Sequence, residues 1–257
     1  MNTRKYFYIA NWKMNWDYDE TVSFVSRHSD DCIALSKDKK LCQFVVCPSY
    51  IALAQTASIF QESEVKVGAQ DCSDHHKGSF TGQISAEQIK TAGGSFCIIG
   101  HSEQRKHAYQ SNEAVAHKCE QALLADLTPI LCVGETGVQF GQGKTLGILE
   151  EQLKPVVDLL APKHYLLHDK EIIIAYEPVW AIGTNVVPTM DHLESVYGWL
   201  SNFVSKHVSS AHVFLVYGGS VSAQTVKDLK KISLISGFLI GGASLDFQEF
   251  KKIVECT

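Results

Sequence analysis

Eight apolar runs of strand length recur along the chain, and this rhythm constrains the fold more than any other feature. They are Tyr6–Ala10, Gln43–Cys47, Val65–Ala69, Phe96–Gly100, Pro129–Val133, Glu171–Tyr176, Val213–Tyr217 and Gly237–Gly241. Several are apolar without alternation, the pattern of strands buried on both faces of a parallel sheet. Between them, Ser111–Leu127, Thr145–Leu160 and Thr189–Val208 place apolar residues at helical spacing. Ser85-Ala86-Glu87-Gln88 has the form of a capping box, which predicts a helix start. Ser222 is expected to open another helix before Val226 and Leu229. Strand–helix alternation implies right-handed crossovers and a parallel sheet. Eight such units in 257 residues favour a closed barrel, for which about 250 residues is typical. The expected fold is therefore α/β, a single (β/α)8 barrel of eight parallel strands with surrounding helices, forming one domain over residues 1–257.

Composition removes several function classes. A net charge of -5 gives no sign of the basic face that a nucleic-acid binder needs. No apolar run approaches the ~20 residues that span a bilayer. Met1–Ala10 is a short strand-like stretch without the apolar core and cleavage site of a signal peptide, so a cytoplasmic location is expected. Neither GxGxxG nor GxxxxGK[ST] occurs. Gly141-Gln142-Gly143-Lys144-Thr145 echoes the tail of the latter but lacks the leading glycine and is read as a helix-capping loop. Cysteines stand at 32, 42, 47, 72, 97, 119, 132 and 256; none form CxxC, and they are read as buried small hydrophobes. His75 and His76 lack a spaced third ligand and are read as part of a polar loop, so no metal site is assigned.

In such a barrel, active sites form where strands end. The residues just beyond the runs include one cation (Lys13), one imidazole (His101) and one carboxylate (Glu177), with glycine-rich turns at Gly218-Gly219-Ser220 and Gly241-Gly242-Ala243. Backbone N–H groups at such turns can hold a phosphate. A base, an imidazole and an anion site together point to proton transfer beside a carbonyl. Taken singly, each has a plainer reading: a solvated lysine, a structural histidine, an exposed carboxylate, a turn. Their convergence on one mouth argues against the plain reading of all.

At these residues the sequence resembles the triosephosphate isomerase family, the type case of the (β/α)8, or TIM, barrel. The resemblance is carried by Asn11-Trp12-Lys13-Met14-Asn15, Gly78–Ser85, Ile99-Gly100-His101-Ser102-Glu103, Leu131–Glu135, Ala175–Thr184, Tyr217–Val221 and Gly237–Leu245, in the family's order and over nearly the whole chain. The family is itself a standard example of pKa tuning, and its mechanism is carried over by resemblance. The resemblance implies interconversion of dihydroxyacetone phosphate and glyceraldehyde 3-phosphate, in glycolysis and gluconeogenesis, without a cofactor. Glu177 would be the base, His101 a neutral electrophile, and Lys13 and Asn11 the groups that stabilise phosphate and enediolate charge. Gly183, Ser220, Gly241 and Gly242 would bind substrate, and Glu103 would support Lys13. Pro178–Thr184 would be a mobile lid, and Cys132 a buried structural cysteine. The loop 70–83 would dimerise the protein by inserting beside the partner's 11–15 segment.

Four departures from the family stand out. Gln104 replaces an arginine beside Arg105. Asn185-Val186 replaces Gly-Lys at the lid's end, where Asn still tolerates positive φ. Ser201 and Ser236 replace an arginine–aspartate pair, so no buried charge is stranded. Asp71 replaces an asparagine, and Cys72–His76 lacks the usual tryptophan. Two other readings are kept: another phosphate-binding barrel, such as a pentose-phosphate epimerase or an amino-acid biosynthesis isomerase, and a non-catalytic barrel acting as an adhesin or scaffold.

Overall fold

A computed structural model describes residues 5–39, 41–168, 170–208 and 213–256, apart from the side chains of 164 and 165. Residues 1–4 of the strand-like N-terminal stretch lie outside the described residues, as do 40, 169, 209–212 and 257 of the proposed single domain. Eight parallel strands, β1 (Tyr6–Asn11), β2 (Cys42–Cys47), β3 (Lys66–Ala69), β4 (Phe96–Ile99), β5 (Thr128–Val133), β6 (Ile172–Tyr176), β7 (Val213–Tyr217) and β8 (Gly237–Ile240), pair in chain order. The barrel closes where Phe7–Ala10 of β1 pair with Gly237–Ile240 of β8. That seam needs glycine: Gly237 has φ +146°, and a Cβ there would lie 2.1 Å from the Phe7 carbonyl oxygen.

The absence of alternation in the strands now has a cause. Successive side chains point to opposite faces of a strand, and both faces of this sheet are covered. One set, including Phe7, Ile9, Val45, Ile98, Ile130, Ile173 and Leu239, packs as a single buried cluster inside the barrel. Their neighbours Tyr8, Ala10, Val46, Ile99, Leu131 and Ile174 join a larger cluster with the helices outside. Truncating a fully buried interior side chain such as Ile173 to Ala is expected to destabilise by about 2–5 kcal/mol.

Helices occupy the connections. Ser111 and Thr189 cap helices Asn112–Leu124 and Met190–His207 by accepting from Ala114 and His192 N–H groups. Ser85 and Gln88 form the expected capping box of Ala86–Thr91. A second capping box, Asp17 with Glu20, starts the long helix Tyr18–Asp38. The helix expected from Ser222 is a single turn, Val226–Leu229, and begins later: Ser222 is engaged in a turn with Thr225, whose N–H donates to its hydroxyl at 3.2 Å. The Gly141–Thr145 stretch joins Gly137–Gly141 to Thr145–Leu160, with Lys144 N–H donating to the Gln139 carbonyl at 3.0 Å, a helix-capping loop as expected. All eight cysteines are free; 47, 72, 97, 119 and 132 are buried and the other three half-buried. Among the described residues, no helix is long and apolar enough to cross a membrane.

Candidate active site

The strand ends converge as the barrel requires. One cleft of about 480 Å³ at the C-terminal mouth is lined by Asn11, Lys13, His101, Glu177, Gly183, Ser220, Gly241 and Gly242, the full set of expected catalytic and substrate-binding residues. It also takes in Ser222 and Thr225, which sequence reasoning did not assign to the site. The sequence marks Ser222 only as a helix start, and nothing in its spacing shows that the turn after β7 reaches the cleft.

Asn11 ends β1 and is 5% exposed. Two residues on, Lys13 adopts φ +52°, a left-handed conformation that costs a non-glycine residue about 1–3 kcal/mol. Three contacts hold it there. Lys13 N–H donates to Asn11 Oδ1 at 3.1 Å, Gln70 Nε2 donates to the Lys13 carbonyl at 2.7 Å, and Lys13 Nζ pairs with Glu103 Oε1 at 2.7 Å. Glu103 thus lies where the resemblance puts it, against Lys13. Gln70 Nε2 also donates to the Cys47 carbonyl, so the root of the 70–83 loop braces the lysine segment within its own chain.

His101 caps the helix Ser102–His107: its Nδ1 accepts from the Glu103 N–H at 3.2 Å. That bond assigns the ring hydrogen of the neutral imidazole to Nε2. Nε2 lies 3.1 Å from Glu177 Oε1, while Ser102 N–H donates to Glu177 Oε2 at 3.4 Å. Both partners are buried. On His101, burial is the largest influence and lowers the pKa, but the charge and hydrogen bond of Glu177, helped by Glu103, outweigh it and the net shift is upward. On Glu177, burial raises the pKa most, yet His101, the Ser102 N–H and Lys13 together bring it below the ordinary value. A helix start alone disfavours imidazolium, in line with the neutral electrophile that the resemblance implies; the facing carboxylate reverses that balance in this arrangement.

The glutamate's backbone is fixed by close packing. Glu177 N–H donates to the Val133 carbonyl at 2.8 Å, and a Cβ at Gly134 would lie 1.7 Å from the Glu177 carbonyl oxygen. Only glycine lets the end of β5 approach this closely.

Beyond Glu177, Val179–Ala181 forms a 3-10 turn, and the tip 183–186 is exposed. Gly183 and Asn185 have φ +69° and +60°, so Asn185 takes the left-handed turn that the altered hinge requires. Ser220 ties down this segment: its hydroxyl donates to the Ala181 carbonyl at 2.6 Å and accepts from Asn185 N–H at 3.1 Å. Trp180 Nε1 donates to Glu135 Oε1 at 2.8 Å. Glu135 is a further residue that sequence reasoning left unassigned, since its partners arrive from other strands and loops.

The departures are absorbed locally. Arg105 donates to the Gly100 carbonyl at 2.7 Å and to Asn112 Oδ1 at 2.6 Å, fixing the helix after His101 without a second guanidinium. Asp71 pairs with the buried Lys118 at 2.6 Å, so its charge is not stranded. Ser236 is fully buried, and no hydrogen bond joins its hydroxyl to Ser201. His75 stacks on Phe80 and faces Asp74, whereas His76 faces Glu87, consistent with separate surface contacts. Cys132 is buried in β5, where burial pushes its thiol pKa up and leaves it an unreactive packing group.

A family model described as triosephosphate isomerase matches residues 6–257. The chain is 38% identical to the triosephosphate isomerase of Endomicrobium trichonymphae over 255 residues, which cover 98% of each chain. It is 37% identical to that of Methylococcus capsulatus over 253 residues, 97% of each chain. With that of Vesicomyosocius okutanii it shares 34% over 256 residues, 99% of this chain and all of the relative.

Proposed function

The chain belongs to the triosephosphate isomerase family and interconverts dihydroxyacetone phosphate and D-glyceraldehyde 3-phosphate; we propose that Glu177, His101, Lys13 and Asn11 carry that reaction, as follows. The substrate phosphate sits at the turns after β7 and β8, against backbone N–H groups of Ser220, Gly241 and Gly242, with Gly183 closing over it. This places the carbonyl end between Lys13, Asn11 and His101. Glu177 takes a proton from the carbon beside the carbonyl, which leaves an enediolate. Lys13 and Asn11 stabilise the negative oxygen, and His101 donates its Nε2 hydrogen to it. The proton held by Glu177 then returns to the neighbouring carbon, while the proton on oxygen moves across through His101. Protons are redistributed within one substrate, so the step needs no electron acceptor and no cofactor is assigned.

The observation that carries this reading is the 3.1 Å approach of His101 Nε2 to Glu177 Oε1 in a cleft that also holds Lys13. In that arrangement Glu177 raises the His101 pKa. When Glu177 turns to substrate, burial, the largest influence, and Lys13 favour the neutral ring, and only the charge of Glu103 still opposes them. The base is held ionised and the imidazole becomes neutral as it starts to work.

Pro178–Thr184 closes over bound substrate and keeps water from the enediolate, a gating role this family exemplifies. The protein acts as a cytoplasmic homodimer through the loop 70–83 and the 11–15 segment. Met14 is 94% exposed and Phe80 37%, and these apolar side chains on the two segments are explained by a second copy.

The test is isomerisation of glyceraldehyde 3-phosphate by the purified protein with a chelator present, beside Lys13→Ala. Fast wild-type turnover with a loss of about 10²–10³ in the variant is expected. Turnover that depends on metal, or that survives Lys13→Ala, would overturn these assignments. Sedimentation should give a dimer.

A further inference from the structure

Glu135 is fully buried, two residues past the end of β5, and its hydrogen-bond donors are neutral. The Tyr176 hydroxyl lies 3.2 Å from each of its oxygens, and Trp180 Nε1 lies 2.8 Å from Oε1. A tyrosine hydroxyl has one hydrogen. Burial, then the charge of Glu135, raises the Tyr176 pKa well above its ordinary value, so that hydrogen stays on the oxygen and is given to the carboxylate. The same hydroxyl lies 3.0 Å from His192 Nε2. With the tyrosine hydrogen committed to Glu135, His192 is the donor at that contact. A one-way chain results: His192 Nε2–H to the Tyr176 oxygen, Tyr176 O–H to Glu135, and Trp180 Nε1–H to Glu135 from the other side.

A second route joins the same groups. His192 meets Phe140 edge-on at 5.2 Å and 88°, and Phe140 stacks on the Trp180 indole at 4.4 Å and 26°. The imidazole is itself set by the start of its helix, where His192 N–H donates to the Thr189 hydroxyl at 3.3 Å. Helix Met190–His207 thereby reaches across to a lid side chain three residues from Glu177.

We propose that His192 is a positioning residue for the isomerase reaction: its Nε2 hydrogen fixes the Tyr176 hydroxyl, and through Glu135 and Phe140 it sets the Trp180 indole from which the lid is hung. The inference rests on the reading of Pro178–Thr184 as the lid. His192 touches no substrate, so its effect falls on how the lid grips phosphate and appears mainly in KM.

The experiment compares His192→Phe, which keeps an aromatic edge for Phe140 but no donor, with His192→Gln, whose amide reaches where Nε2 does. His192→Phe is expected to lower kcat/KM roughly three- to tenfold, the worth of one hydrogen bond, chiefly through a raised KM. His192→Gln should restore it to within about twofold. The emission attributable to Trp180, taken as the difference between the protein and Trp180→Phe, should shift in His192→Phe and return in His192→Gln. If His192→Phe does not fold, His192→Asn takes its place, since its shorter amide stops short of the hydroxyl. Wild-type KM and emission in the donorless variant would overturn the inference, as would equal impairment in His192→Gln. Trp180→Phe separates the two readings. If it lowers kcat/KM while His192→Phe does not, only the role of His192 fails; if it leaves kcat/KM unchanged, the lid reading fails and the inference with it.

Discussion

Glu135 and Glu177 stand just beyond neighbouring strands, β5 and β6, and both are buried. Their surroundings differ in kind. Glu135 accepts from a phenol and an indole, neutral groups fixed by packing, and it faces the back of the lid. Glu177 faces an imidazole and a backbone N–H, and it opens onto the cleft with Lys13. A carboxylate held by neutral donors has no better partner to turn to and serves as an anchor. One held by a titratable ring can exchange that partner for a substrate and carry a proton. Burial alone does not mark a catalytic carboxylate; the protonation chemistry of what it faces does.

The sharpest way to break this contrast is to neutralise each glutamate in turn. Glu177→Gln should lower kcat about 10³-fold by removing the base, a kinetic loss far larger than its loss of stability. Glu135→Gln should do the reverse. It leaves buried donors poorly paired, costs about 1–3 kcal/mol of stability on denaturation, and keeps kcat within about tenfold. Equal kinetic losses in the two variants would erase the distinction.

A smaller effect sharpens it. The raised His101 pKa contributes stability that is fully present below the ordinary imidazole value and lost as pH rises through the raised value. The lowered Glu177 pKa contributes stability present above the ordinary carboxylate value and lost as pH falls through the lowered value. The pair therefore supports the fold most fully between about pH 4.3 and 6.5. Followed by NMR, the His101 ring should titrate at lower pH in Glu177→Gln than in the wild type, and Glu135→Gln should leave it in place. A His101 titration insensitive to Glu177 would break the pairing on which the mechanism depends.

The smallest effect concerns the lid's end. Asn185 already adopts positive φ, so Asn185→Gly relieves a modest strain and should change kcat/KM by no more than about threefold. A larger change in steady-state assays would show that the hinge sequence, and not its backbone shape, governs the lid.

Much of this was legible in the sequence because a closed parallel barrel leaves direct marks. Tyr6–Ala10 and Glu171–Tyr176 read as strands since both their faces are buried, and Lys13, His101 and Glu177 declared themselves by following such runs. The marks of helices were less even. The Asp17–Glu20 capping box is present in the sequence, yet Tyr18–Asp38 was not singled out, and Tyr50–Phe60 has no side-chain cap bond to announce it. Ser222 misled because its hydroxyl serves a turn before the helix. What stayed hidden depends on distances between distant segments. The upward shift of His101 needs Glu177 at 3.1 Å, and the anchoring of Trp180 needs Glu135, Tyr176, Phe140 and His192 brought together from four elements. No local pattern encodes either.

The central claim is that a proton moves between substrate carbons by way of Glu177. The direct measurement is isomerisation of dihydroxyacetone phosphate in deuterium oxide, with the product examined for deuterium at carbon 2. The wild type should incorporate solvent deuterium there, because the carboxyl exchanges its proton before returning it, and Glu177→Gln should incorporate it at least about 10³-fold more slowly. Rapid isomerisation without deuterium in the product, or incorporation at the wild-type rate in Glu177→Gln, would contradict the account.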